Sequence, residues 1–183
     1  MALTYSQMLP LGTKLPEFEL LNVLNDEIYS TKNIIPSKNT VVMIICNHCP
    51  YVIHYHDEIK KIISKYEDDI RFIAISSNDI INHPEDSPEK MKILFKNLNL
   101  TIPYLFDESQ DVARMFKAEC TPEFYLFDNE NKLVYRGRLD SSSPGNKDDI
   151  DGSDLRNAID AVLSNGIINK NQFPSMGCNI KWK

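Results

Sequence analysis

Residues 40–45 (TVVMII) are an unbroken apolar run of strand length, and residues 51–66 then set Val52, Ile59, Ile62 and Ile63 along one side of a helical period. The same alternation repeats downstream. Residues 71–76 (RFIAIS) read as a second buried strand. A polar, proline-containing loop (NDIINHPEDSPEKM) follows, and then a helix over 88–98 with Met91, Leu94, Phe95 and Leu98 on its apolar face and Pro88 at its first turn. Residues 102–106 predict a short strand, and Ser109 caps a short helix reaching 116. Residues 123–127 and 133–138 pair as a hairpin turned by Asp128-Asn129-Glu130-Asn131, and the last helix covers 153–163. Ahead of all this, two short apolar stretches flank Asn25-Asp26 and predict a hairpin. Residues 141–152, rich in Ser, Pro, Gly and Asp without an apolar period, predict a surface loop.

Strands alternating with helices place helices on both faces of one sheet, and the late antiparallel hairpin makes that sheet mixed: an α/β fold. At its first strand-to-helix junction stands Cys46-Asn47-His48-Cys49. Two cysteines three positions apart fall within one helical turn, close enough to form a small disulfide. The first would lie at the helix N-terminus, where unpaired N–H groups favour a thiolate. Taken alone, the motif fits half a zinc site or two packed core thiols equally well. Its place at the C-terminal edge of a strand, where open α/β sheets carry their reactive groups, favours exchange or binding over inert packing.

The 183 residues fit one domain able to bury roughly 70% of its extended surface. Twenty basic against twenty-six acidic residues give a net charge of −6 with no run of Lys or Arg, which argues against nucleic acid and anionic membrane as partners. No apolar stretch approaches the ~20 residues a membrane span needs, and the first thirteen residues are mixed rather than basic-then-apolar, so a cytoplasmic location is expected. Four cysteines are too few for a disulfide scaffold. In a reducing compartment that leaves catalysis or metal binding as the reading of the pair. There is no GxGxxG, P-loop or Ser-His-Asp constellation, and no cofactor is expected.

Several stretches together resemble the thioredoxin-fold superfamily, specifically the thioredoxin-like proteins related to the AhpC/TSA peroxiredoxins. They are LGTKLPEFEL, CNHCPY, SSNDIINHPEDSPEKM, PYLFDESQDVARMF, CTPEFYLFD, YRGRLD and the terminal PSMGCNIKWK. The resemblance covers nearly the whole chain. It implies one thioredoxin-like domain over 1–183, a mixed central sheet flanked by helices with an added N-terminal hairpin and an inserted helix, and residues 165–183 packing on it as a tail. It also implies that Thr121-Pro122 is a cis peptide facing the CxxC, with the Thr121 backbone free to pair with an extended substrate strand. The pattern departs in three places. Ile45 stands where thioredoxins usually have Trp. The buried aspartate that helps deprotonate the second thiol is missing, with Glu119, Glu123 and Asp107 as substitutes among which the sequence does not choose. The peroxiredoxin pattern PxxxTxxC, counted back from Cys49, finds Cys46 and Val42 in place of its Thr and Pro.

The expected chemistry is thiol-disulfide exchange, with Cys46, the more exposed, attacking and Cys49, one turn deeper, resolving the mixed disulfide. The alternatives are reduction of hydroperoxides by the same pair, and a metal-binding or redox-sensing module built from Cys46, Cys49 and Cys120 with Cys178 or His48. Partners are then protein or small-molecule disulfides, or hydroperoxides, with an upstream thiol reductant. His48, in a position it also takes in more oxidising members of the superfamily, would stabilise a Cys46 thiolate and make the couple less reducing. Cys120 and Cys178 are candidate additional redox thiols, alone or as a bonded pair. His54, His56 and His83 are expected at the surface, and Ile180 and Trp182 are expected to dock the tail on something apolar.

Overall fold

The computed structural model describes residues 3–34 and 37–183. Its main sheet has seven strands: β2 (Glu19–Asn22), β3 (Glu27–Ser30), β4 (Asn39–Ile44), β5 (Ile70–Ser76), β6 (Tyr104–Phe106), β8 (Glu123–Phe127) and β9 (Leu133–Gly137), in the spatial order β3-β2-β6-β5-β4-β8-β9. A smaller sheet joins β1 (Leu3–Tyr5), β10 (Met176–Asn179) and β7 (Cys120–Thr121) in the order β1-β10-β7. The apolar run becomes β4, between parallel β5 and antiparallel β8, and it reads as continuously hydrophobic because both of its faces are buried. Val41 and Met43 face one core with Ile59, Ile62, Met91, Phe95, Leu155 and Ile159, contributed by α2 (His56–Tyr66), α3 (Pro88–Leu98) and α5 (Ser153–Leu163). Val42 and Ile44 face the other, with Leu9, Phe18, Val112 and Phe116 around α4 (Asp111–Met115). Each aliphatic side chain so buried contributes about 1.5–3 kcal/mol, so both faces of β4 hold it in place and fix the chain direction at its C-terminal end.

The sheet is mixed and flanked by helices on both faces, as expected of a thioredoxin-like fold, and the N-terminal hairpin extends it by pairing β2 with β6. The differences are local. The helix expected over 51–66 breaks at Tyr55 (φ −99°, ψ 0°) into α1 (Pro50–His54) and α2. The Tyr55 hydroxyl is buried within reach of Asp140 Oδ1 (3.1 Å) and the Ser142 carbonyl (2.5 Å), partners a straight helix would not offer it. The strand expected from 102 begins only at Tyr104. Pro103 has no N–H for the ladder and contributes its carbonyl alone, accepting from Ala74 N at 2.9 Å. Helix α4 starts after Gln110, which is left-handed (φ 67°), while Ser109 Oγ accepts from Asp111 N at 3.2 Å. Strands β1 and β7, of three and two residues, are too short to show an alternation and were not expected. No helix among the described residues is long and apolar enough to cross a membrane.

Candidate active site: a dithiol with two unlike flanks

Strand β4 ends at Ile44, and Ile45 N still bonds to Ile75 O at 2.9 Å, so Cys46 leaves the sheet at its C-terminal edge. Cys49 is the N-cap of α1 and Pro50 opens that helix. Cys49, rather than Cys46, therefore abuts the helix. Cys46 and Cys49 are 1% and 0% exposed, so exposure does not rank them. The Thr121–Pro122 peptide is cis. Thr121 Oγ1 lies 3.4 Å from Cys46 Sγ, and its carbonyl lies 3.2 Å from Cys49 Sγ. None of the four cysteines is held in a disulfide.

The Cys46 flank is polar. Asp86, fully buried at the end of a 3-10 turn (Pro84–Asp86), accepts from Asn47 N (2.7 Å) and His48 N (3.3 Å) through Oδ1 and from Asn78 Nδ2 (2.7 Å) through Oδ2. The two N–H groups expected to stabilise a Cys46 thiolate are thus committed to a carboxylate. His48 Nδ1 lies 2.7 Å from Asp86 Oδ2, close enough for an ion pair when the ring is protonated, but off line for a neutral hydrogen bond. A charge on His48 therefore offsets Asp86 before it reaches Cys46. The His48 ring stacks on His83, 5.6 Å between centroids and 6° from parallel, so His83 belongs to this flank. Half-buried His54 contacts Ser142 Oγ at 3.0 Å, and burial holds the His56 pKa below its ordinary value.

Glu119, Glu123 and Asp107 bond elsewhere, and the buried carboxylate at the site is Asp86, which lies beside Cys46 rather than beside the second thiol. Asp107 accepts from Ser77 Oγ and from the Val112 and Ala113 N–H groups at the start of α4. Glu123 accepts from Glu119 N, Cys120 N and the Tyr125 hydroxyl. It alternates with Phe124, which shares the thiols' core, so it faces the opposite side of the sheet, where burial lifts its pKa to about 7. Glu119 bonds to Gln7. Asp86 was missed because its loop carries Asp79, Glu85 and Glu89 as well, and nothing local separates the four.

The Cys49 flank is sulfur and backbone. Strand β10 pairs antiparallel with β7, placing Cys178 opposite Thr121 and Asn179 opposite Cys120. The edge expected to receive a substrate strand at Thr121 and Pro122 is occupied by the chain's own tail. Gly177 permits the approach: a Cβ there would lie 2.0 Å from Thr121 O. The Cys178 and Cys49 thiols are within hydrogen-bond reach of each other. Cys120 is fully buried and opposite Asn179, and burial, then the Glu123 charge, push its thiol pKa far up. No Cys120–Cys178 bond is present. Ile180 is buried in the core around α4, and Trp182, 37% exposed, carries the Arg114 guanidinium over its ring, 4.9 Å from the centroid.

The reduced pair shares one proton. The Cys46 contact is the largest influence on Cys49 and, with help from the Cys178 and Thr121 hydrogen bonds, brings it down to about 5 against the opposing effect of burial. The same contact, then burial, then the Asp86 charge push Cys46 well up. The charge thus rests on Cys49, the reverse of what the sequence suggested. The Thr121 carbonyl next to Cys49 argues for a proton there. The Asp86 carboxylate prevails, because a full charge beside Cys46 outweighs a carbonyl dipole beside Cys49.

The four sulfurs do not gather as a ligand set. The group of three or more donors able to hold an ion among the described residues is Cys46, His48 and Asp86, whose ligand atoms lie within 4.8 Å of one another. Such an ion would take up the Cys46 thiol. Beside Pro122 a cleft of about 240 Å³ opens between Tyr55, Asp140 and tail residues 173–176, and neither thiol of the pair lines it.

A family model described as Redoxin matches residues 10–157. The solved structure of a conserved uncharacterized protein from Geobacillus kaustophilus is 43% identical, over 100% of this chain and 97% of that one, with a TM-score of 0.96. A hypothetical protein from Sinorhizobium meliloti 1021 is 38% identical, over 98% of each chain, with a TM-score of 0.94. A putative thiol:disulfide interchange protein DsbE from Chlorobium tepidum shares the fold at 15% identity, over 85% of this chain and 99% of that one, with a TM-score of 0.66. No curated protein matches this chain.

Proposed function

The chain belongs to the redoxin family, and on that premise we propose that it is a thiol-disulfide oxidoreductase whose Cys46 and Cys49 cycle between dithiol and disulfide. One observation carries the reading: both sulfurs share Thr121, one at its hydroxyl and one at its carbonyl, in a site closed to water. Cys46, passing its proton to the Cys49 thiolate across their contact, attacks a disulfide of a protein or small molecule and releases one thiolate, which takes that proton back from Cys49. Cys49 then attacks Cys46 Sγ, releasing the second and leaving a Cys46–Cys49 disulfide for an upstream thiol reductant to reopen. The order is supported by the surroundings. Cys49 has a sulfur on two sides, Cys46 and Cys178, which suits the thiol that closes internal bonds, whereas Cys46 faces the Thr121 hydroxyl and the polar loop. With the Thr121 edge filled, the substrate does not enter as an added strand. Work as a reductase fits a compartment that keeps thiols reduced, such as the cytoplasm.

Turnover of a small-molecule disulfide with excess thiol reductant is expected to vanish in Cys46→Ser and Cys49→Ser and to persist in Cys120→Ser. Cys49→Ser should accumulate a mixed disulfide on Cys46. A wild-type rate no better than free thiol, or full activity in both serine variants, would falsify the proposal. Faster consumption of hydrogen peroxide than of disulfides would transfer the site to peroxide reduction.

A further inference from the structure

The tail is fixed along its length. Ser175 exchanges hydrogen bonds with Ser6 (2.9 and 3.0 Å), β10 lies between β1 and β7, and Ile180 N bonds to Glu119 O at 3.0 Å. Lys181 N donates to Asn78 Oδ1 (2.8 Å), and Lys181 O accepts from Asp79 N and Gln110 Nε2, each at 2.8 Å. This anchoring brings a third thiol to the dithiol: Cys178 sits opposite Thr121, is 5% exposed and reaches Cys49 Sγ. The exchange cycle of Cys46 and Cys49 makes no use of it.

We propose that Cys178 is a third exchange thiol, to which Cys49 passes its disulfide bond, so that oxidised protein divides between a Cys46–Cys49 and a Cys49–Cys178 form. This rests on the dithiol reading above. The step is isoelectronic. Cys178, deprotonated, attacks Cys49 Sγ. The Cys49–Cys178 bond forms, the Cys46–Cys49 bond breaks, and Cys46 leaves as the thiolate and takes up the proton that Cys178 gave up. The oxidising equivalent is the one the substrate disulfide has already delivered.

Burial, then the Cys49 contact, push the Cys178 thiol up to about 12 in the dithiol state, so Cys178 is silent while the pair is reduced. Once Cys49 is held in a disulfide, its hydrogen bond and charge are gone, and Lys181 remains to favour the Cys178 anion. Oxidation of the pair thus lifts the Cys49 influences that hold Cys178 protonated, while burial, the largest of them, stays. Passing the bond to Cys178 uncovers Cys46 as a free thiol whose resolving partner is engaged, so a disulfide it attacks next would be released by the substrate's own thiol.

The test is oxidation of the full chain with glutathione disulfide, alkylation, and peptide mapping without reduction. Cys46→Ser keeps three of the four thiols, and oxidation should lower the count to one, Cys120, with Cys49 linked to Cys178. Oxidised wild type should show alkylated Cys46 in the fraction carrying Cys49–Cys178, and Cys178→Ser should lose that labelling while keeping Cys46–Cys49. If Cys46→Ser does not fold, Cys46→Ala and the wild-type labelling answer the same question. Free or glutathionylated Cys49 and Cys178 in the Cys46 variant, beside a normal Cys46–Cys49 bond in wild type, overturns this proposal alone. Absence of the Cys46–Cys49 bond in wild type and in Cys178→Ser removes the dithiol reading instead.

Discussion

Cys46 and Cys49 are three residues apart, yet their surroundings are opposite in kind. Around Cys46 are a buried carboxylate, two stacked imidazoles and donated N–H groups. Around Cys49 are a cis-proline strand, a backbone carbonyl and another thiol. Asn78 ties the two flanks together, donating to Asp86 from its amide nitrogen and accepting from Lys181 of the tail at its oxygen. The difference shows that a dithiol is polarised by what packs on each side of it: negative charge beside one sulfur sends the thiolate to the other.

The contrast breaks most severely at Asp86. Asp86→Ala leaves the N–H groups of Asn47 and His48 and the Asn78 amide without an acceptor in a buried site. Each orphaned group costs about 1–3 kcal/mol, so urea unfolding of the reduced protein should show a loss of ~3 kcal/mol or more. A loss under about 1 kcal/mol would mean that the polar flank is not held by this carboxylate.

On the other side, Gly177→Ala pushes a Cβ into Thr121 O and should cost about 1–3 kcal/mol while speeding alkylation of Cys178 as the tail lifts. Unchanged stability and labelling would show that β10 is not pressed against β7.

The polarisation itself can be titrated. A thiol whose pKa falls from its ordinary value to about 5 is deprotonated above that point, so one equivalent of ultraviolet thiolate absorbance in the reduced protein should survive to pH 6 and disappear as pH falls through about 5. It should be absent in Cys49→Ser. Loss of the signal near the free-thiol range, about 8.5, would show that the pair is not polarised. The smallest effect is expected at Trp182→Ala, which removes the contact with Arg114 and should cost about 0.5–1 kcal/mol by thermal unfolding.

Much of the main sheet was legible because its signals are local. Helices α3 and α5 and strand β8 begin and end where their apolar periods do, and the CxxC falls at the end of the strand whose run announced it. The resemblance alone places Thr121 and Pro122 against the thiols. The break at Tyr55 was hidden because it depends on Asp140 and Ser142, more than eighty residues along. The tail's effect on the site was hidden for the same reason, since a four-residue strand shows its partner only when paired.

By itself, the sequence determined the α/β architecture, the position of the dithiol on it and the presence of further cysteines, because hydrophobic period and motif spacing are properties of neighbouring residues. Only the tertiary structure decided which of several equivalent acids reaches Cys46, which of two spare cysteines reaches Cys49, and that the expected binding edge is filled from within. Those choices depend on through-space distance between segments some forty to one hundred thirty residues apart, where charge and hydrogen bonding act over a few ångströms and chain spacing carries no information.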